Sequence, residues 1–300
     1  MTKIMCLADL HLTDKKPPCR IDSEDWLSTV NQKLLYIARL AVEQNVHTVV
    51  IAGDVFDSVH KCGFEFMSIV LQWFMLFKKF NIKVIAIPGN HDLINNDHDR
   101  LNQTPFGTLK ALELVGSPDD IGFGYMSYGA EDYSGKESIV VAHYGLWHKN
   151  RPFDSAPDAG NVEWFVNNKL PDSCKLFITG HFHVPFVVKY RDTVVVNCGC
   201  PFRMRADLID YAPYVTIVRI EGNEVHPKKF PIPLTNDIRR DYIDDKKSKE
   251  VLLDELVGSI EGDFEAGFNF KDNFNSLIEN VKHKELIIKE FERCANGFYK

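Results

Sequence analysis

No stretch of this 300-residue chain stays apolar for long. The most apolar window, FMSIVLQWFMLF from Phe66 to Phe77, is broken by Ser68 and Gln72 and followed by Lys78-Lys79, which falls short of the roughly 18 apolar residues that suggest a membrane span. It predicts a buried helix, and no membrane association is expected. The opening residues MTKIMCLADLHL lack the basic start, long apolar centre and small-residue cleavage site of a secretory leader and run straight into a strand-like segment. The seven cysteines form no C-x-x-C pair, and the closest spacing is Cys198-Gly199-Cys200. That excludes a disulfide framework or zinc ribbon as the organising device and leads one to expect reduced thiols in a cytoplasmic setting. Positive charge is also short, 35 Lys and Arg against 42 Asp and Glu for a net charge of -7. Any grip on nucleic acid would have to come from local basic patches.

What is present is a long alternation of periods, without internal repeats. Lys3 to Leu7 is strand-like and Gln32 to Val42 has helical apolar spacing; His47 to Ala52 is a strand, Phe64 to Phe80 a helix and Lys83 to Ile87 a strand. That order implies a parallel sheet with right-handed crossovers. From about Gly122 the strands shorten: Gly124 to Tyr128, Ser138 to Ala142, Lys175 to Thr179, Phe186 to Tyr190, Val194 to Asn197 and Tyr214 to Ile220, interrupted by one helix, Val162 to Leu170. These predict a second, mixed sheet closing on the first, an α/β sandwich of two sheets with helices outside. After Pro231-Ile232-Pro233 the composition turns charged and helix-forming, with apolar residues at helical spacing over Lys246 to Ile260 and Asn273 to Ala295. A boundary is expected near 235, with 1–235 as one domain and 236–300 as a helical appendage, either a helix pair covering its own core or a docking element for a partner.

The chemistry lies just after the strands. The first strand is followed by Ala8-Asp9-Leu10-His11, the second by Gly53-Asp54, the third by Pro88-Gly89-Asn90-His91-Asp92, and two later strands by His143 and by Gly180-His181-Phe182-His183. In α/β sheets the carboxyl ends of the strands are where ligands bind. Two carboxylates, one amide and four imidazoles, without thiolate, suit borderline-to-hard divalent ions. Seven such ligands exceed one tetrahedral ion and fit two ions sharing a carboxylate. Any one of these residues alone reads as a turn or a structural histidine; five groups in order, each at a strand end, read as a site.

The motifs DLH (9–11), GDVFD (53–57), GNHD (89–92), His143 and GHFH (180–183), in that order, resemble the signature of the calcineurin-like metallophosphoesterase superfamily over about residues 1–235. The likeness implies a four-layer sandwich of two mixed sheets flanked by helices. GDVFD, GHFHVP and the stretch from NCGCPFRMR to LIDYAP are similar to the SbcD-type DNA repair and recombination nucleases, including shorter phage enzymes, although Leu10 stands where such chains usually carry tryptophan. Carried over by position, the resemblance implies one metal held by Asp9, His11, Asp54 and His183 and a second held by Asp54, Asn90, His143 and His181, with manganese the expected metal. It implies that His91 meets the scissile phosphate, that Asp92 orients that imidazole and that Asp57 lies behind the ligands. It further implies a metal-dependent DNA exonuclease or single-strand endonuclease using a two-metal-activated hydroxide in recombination or repair. A coiled-coil SMC-like ATPase of the SbcC type and a second copy of the chain would be its partners, in the host cytoplasm if the chain is phage-encoded. The alternative within the superfamily is a small-molecule (nucleotide) phosphodiesterase or phosphatase.

Arg203, Arg205 and His148 are candidate substrate contacts, as are Lys15, Lys16, Arg20, Lys149, Arg151 and, for a stacking role, Trp147; for each, solvated charge or core packing is the competing reading. Among the remaining histidines, His60 is a loop candidate, and His47, His98, His226 and His283 read as structural. Cys198 and Cys200 are expected to mark a tight strand exit.

Overall fold

The computed structural model describes residues 1–21, 25–59, 62–130, 132–149, 151, 158–233 and 238. The helices expected over 246–260 and 273–295, together with His60 and His283, lie outside them.

Strands β1 (Thr2–Leu7), β2 (Thr48–Ala52) and β3 (Lys83–Ile87) pair in parallel, with β2 central. Helices α1 (Trp26–Glu43) and α2 (Phe64–Lys79) supply the crossovers. Successive side chains of a strand point to opposite faces, and here both faces are buried, as expected for parallel sheets. Met5, Leu7, Val49 and Ile51 pack under the helices, while Ile4, Cys6, Ala8, Val50 and Ala52 face the other way into a layer shared with Val141, Leu176, Ile178, Val194 and Val196. Those last residues belong to the second sheet, order β4-β5-β6-β8-β7, built from β4 (Gly124–Met126), β5 (Ile139–His143), β6 (Leu176–Gly180), β7 (Phe186–Tyr190) and β8 (Thr193–Asn197). All its pairings are parallel except that of β7 with β8. Its outer face packs Val140, Phe177 and Val195 on Val162, Phe165 and Val166 of α4 (Val162–Lys169). The result is the expected helix, sheet, sheet, helix layering.

The structure departs from the sequence expectation in four places. Strand β9 (Tyr214–Glu221), expected in the second sheet, pairs antiparallel with β1 and makes the first sheet mixed. A further strand, β10 (Glu224–Pro231), forms the edge beside it; its prolines and polar residues hid it, and only an edge tolerates them. Helix α1 starts at Trp26, not Gln32, because Asp25 caps it by accepting from Ser28 N at 2.9 Å. The short α3 (Pro105–Ala111) had no room to show a period, although Thr104 accepts from Gly107 N and Pro105 occupies the first turn. Helix α2 buries one face only, leaving Met75 57% exposed. Among the described residues no helix is long and apolar enough to cross a membrane.

Candidate metal centre

Because β1, β2, β3, β5 and β6 are parallel within their sheets, their carboxyl ends deliver the motif residues to one edge of the sandwich. The local backbone is unusual there. Asp9, His11, Asp54 and His181 have φ of 50, 43, 50 and 92°, conformations that cost a non-glycine residue about 1–3 kcal/mol and persist where the surroundings overdetermine them. The glycines before the ligands have a reason to be glycine. Gly53 has φ of 88°, and a Cβ on it would lie 2.3 Å from His143 Nδ1; one on Gly89 would lie 2.2 Å from Asp54 Oδ1.

The candidate ligating atoms form two groups, Asp9–His11–His183 and Asp54–His143–His181, and a third, His11–Asp57–His91, overlaps the first. In the first, His11 Nε2 and His183 Nε2 are 3.1 Å apart. In the second, His143 Nε2 and His181 Nδ1 are 3.2 Å apart, and each lies 3.1 Å from Asn90 Oδ1. Asp54 Oδ2 joins the groups, 3.6 Å from His11 Nε2 and 3.2 Å from His143 Nε2. The backbone aims these atoms. His91 N donates to Asp54 Oδ1 at 2.9 Å, leaving Oδ2 for the shared position. His181 N donates to both oxygens of Asp9. His143 Nδ1 donates to the Ala52 carbonyl at 2.8 Å, which turns Nε2 to the site, where its proton pairs with Asp54 and would be displaced by a bound cation.

Electrostatics agree with the geometry. Burial, then the charges of His11 and Arg205, push His183 down to about 3, and burial together with His143 pushes His181 down to about 4; both are neutral donors near pH 7. Burial raises Asp9 to about 6 against the opposing charges of His143 and His11. Burial also acts against the charged form of His143, but its hydrogen bond and charge interaction with Asp54 prevail and raise it to about 9. The same pairing holds Asp54 below the usual carboxylate range despite its burial. Facing imidazole nitrogens around a shared carboxylate oxygen are what a pair of divalent cations would satisfy, and the donor set fits two such ions.

His91 is exposed at the rim, its ring 4.6 Å from that of His11. Its Nδ1 lies 2.7 Å from the backbone oxygen of Asp57. The orienting role expected of Asp92 is therefore taken by a main-chain carbonyl. Asp92 is fully buried and accepts from Val55 N, Phe56 N and Gly89 N at 3.1, 2.9 and 3.0 Å, tying the loop after β2 to the loop after β3. The Asp57 carboxylate stands 3.5 Å from His11 Nδ1, behind a ligand.

A cleft of about 750 Å³ opens over Asp54, Asn90, His91, His181 and His183 and is walled by Trp147, His148, Arg151, Phe182, Phe186 and Arg205. Of the expected substrate contacts, Arg205, His148, Arg151 and Trp147 line it, and Lys15, Lys16 and Lys149 do not. Arg203 does not: it is 5% exposed and its Nη1 donates to the carbonyls of Ile209 and Tyr211 at 2.9 and 3.2 Å. Arg20 is also buried, donating to the Phe202 and Arg203 carbonyls. Arg151 pairs with Asp158 and lies over Trp147. Phe182 and Phe186 were missed in the sequence; Phe182 sits inside GHFH, between two ligands, and that was the available signal. Cys198 and Cys200 are buried around Gly199, whose φ is 67°, in the tight exit expected of them.

Residues 2–212 match the family model described as calcineurin-like phosphoesterase. A Coxiella burnetii protein described as a probable cyclic nucleotide phosphodiesterase is 23% identical over 210 residues, covering 64% of this chain and 80% of that one. Similar solved structures include a dimetal phosphatase from Danio rerio, with TM-score 0.46 and 11% identity over 78% of this chain and 99% of that one. Another is an archaeal phosphodiesterase, with TM-score 0.40 and 16% identity over 76% and 100%. With that match covering more than two thirds of the sequence, the chain belongs to the calcineurin-like phosphoesterase family.

Proposed function

We propose that this chain is a dimetal phosphodiesterase that hydrolyses a small, nucleotide-type phosphodiester, with manganese as its metal. The observation that carries the reading is the Asp54 oxygen set between two ligand groups, with an exposed histidine, His91, beside them at the floor of a cleft. Bound cations would make a water nucleophilic at neutral pH and neutralise phosphate oxygens. The chain does the rest. Asp9, Asp54 and His143 are held by backbone hydrogen bonds, so their donor atoms need little reorganisation. His91 must donate its Nδ1 proton to the Asp57 carbonyl, which leaves Nε2 for the substrate. In its protonated form Nε2–H donates to the phosphate and to the departing oxygen. A water made nucleophilic by the bound cations would be the attacking group.

The placement of several arginines favours a small substrate. A nuclease needs a track of side chains along the phosphate backbone, yet Arg20 and Arg203 are used up inside the fold and Arg151 is paired with Asp158. The relative described as a cyclic nucleotide phosphodiesterase supports the same reading. The DNA substrate and SMC-like ATPase expected from the subfamily likeness belong to the competing proposal. Purified full-length chain with manganese, given a cyclic nucleotide beside linear duplex and single-stranded DNA, separates the two. We expect turnover of the cyclic nucleotide that a chelator abolishes; cleavage of DNA with the small diester left intact would establish the nuclease instead.

A further inference from the structure

One wall of the cleft is built from two segments far apart in sequence. After His143 the chain is pinned at once: Leu146 is fully buried, Trp147 N donates to the Gly160 carbonyl at 2.8 Å and Trp147 O accepts from Val162 N at 3.0 Å. His148 follows as the next residue on the cleft. The second segment is Phe182, stacked on His181 with ring centroids 5.6 Å apart and planes 28° apart, and then Phe186 and Tyr190 at the two ends of β7. A Cβ on Gly145 would press within about 3 Å of Phe182 and His181, so the two segments pack directly together.

His148 stands where they meet. Its ring centroid is 5.9 Å from that of Phe186, and its Nδ1 is 3.3 Å from the Tyr190 hydroxyl. That hydroxyl orients the imidazole and engages one of its two nitrogens, leaving Nε2 for a ligand in the cleft. Arg205 lies on the other side, near His183, where a phosphate bound at the ligand groups would be within its field. A cleft of about 750 Å³ also suits one mononucleotide, within the usual 300–1,000 Å³ range of small-molecule sites.

We propose that Trp147, His148, Phe182 and Phe186 form a nucleobase subsite, in which the aromatic rings take the plane of the base and His148, positioned by Tyr190, hydrogen-bonds its edge. This rests on the phosphodiesterase reading above and adds what the substrate carries beyond the phosphate: a planar, hydrogen-bonding ring. His148 is a specificity residue and Tyr190 its positioning residue.

Equilibrium binding tests the subsite without turnover. The manganese-loaded full chain is titrated with AMP and, separately, with ribose 5-phosphate, which lacks only the base. Stacking on aromatic side chains predicts AMP to bind about tenfold tighter or more. His148→Ala should remove most of that preference and leave ribose 5-phosphate unchanged. Tyr190→Phe, which keeps the ring and deletes only the hydroxyl, should remove part of it, and His148→Gln should restore part. In turnover the same substitutions should raise KM for a cyclic nucleotide and leave kcat within about threefold, the pattern of lost uniform binding. Equal binding of AMP and ribose 5-phosphate by the unmodified chain overturns the subsite, even if diesters are hydrolysed. A preference for AMP in a chain that hydrolyses no diester would leave the subsite standing and sink the phosphodiesterase reading. A single-stranded oligonucleotide bound far more tightly than AMP would overturn the mononucleotide assignment.

Discussion

Gly53 offers a sharp test of how closely the two sheets meet at the metal centre. Its φ of 88° costs an L-residue about 1–2 kcal/mol, and a Cβ on it would also lie 2.3 Å from His143 Nδ1, 2.5 Å from Cγ and 2.7 Å from Cβ. For ordinary van der Waals contact at roughly 3.5 Å the imidazole must retreat by about 1 Å. That movement pulls Nδ1 away from the Ala52 carbonyl and Nε2 away from Asn90 and Asp54. Metal sites tolerate ligand displacements of only about 0.2 Å, so Gly53→Ala should lose the cation held by Asp54, Asn90, His143 and His181 while Asp9, His11 and His183 retain theirs. Adding backbone strain and the broken hydrogen bond gives a loss of about 2–4 kcal/mol, or about 5–10 °C in Tm for a domain of this size. Gly122 is the matched control, with φ of 76° and nothing within 4 Å of an added Cβ. Gly122→Ala should cost the strain alone, about 1 kcal/mol, and leave both cations in place. Metal analysis after gel filtration, together with thermal melting of the two variants, reads both effects. Full manganese occupancy and undiminished turnover in Gly53→Ala, or equal damage from Gly122→Ala, would refute the close approach.

Two other pairs of substitutions separate roles that lie side by side. His91→Ala should lower kcat about 10²- to 10⁴-fold with metal occupancy unchanged, whereas Asp57→Ala, which keeps the carbonyl holding His91 but removes the carboxylate behind His11, should weaken metal binding about 10- to 100-fold; reversed outcomes in metal titration would show the assignments exchanged. Arg203→Met removes a buried donor to the Ile209 and Tyr211 carbonyls and should lower stability by about 2–4 kcal/mol. Arg205→Ala, on the exposed cleft wall, should leave Tm within about 2 °C and raise KM; thermal melting and steady-state kinetics on both variants check the contrast.

Much of the candidate metal centre was legible in the sequence because each candidate ligand ends its strand or follows it by no more than four residues, and strand ends are local events. The run Lys83 to Ile87 ends at Ile87 whatever lies across from it, and Asn90 and His91 follow within four residues; the reason for Gly89, whose Cβ would meet Asp54, is a contact between loops. The job of Asp92 was not legible. A carboxylate one residue from an imidazole looks like its partner, but its acceptors meet Val55 and Phe56, more than thirty residues away, only when β2 and β3 are in register. Arg203 and Arg205 were indistinguishable for the same reason: a shift of two residues put one inside the fold and the other on the cleft.

The sequence by itself carried the candidate ligand set and the alternation of strand and helix, since periodicity and residue chemistry are properties of short segments. Only the tertiary structure decided that β9 leaves the second sheet to pair with β1, that a backbone amide holds Asp54 Oδ1 and leaves Oδ2 between the two groups, and that Trp147, His148, Phe182 and Phe186 make one wall. Those outcomes depend on which buried faces fit one another across long separations in the chain, and no local pattern records that.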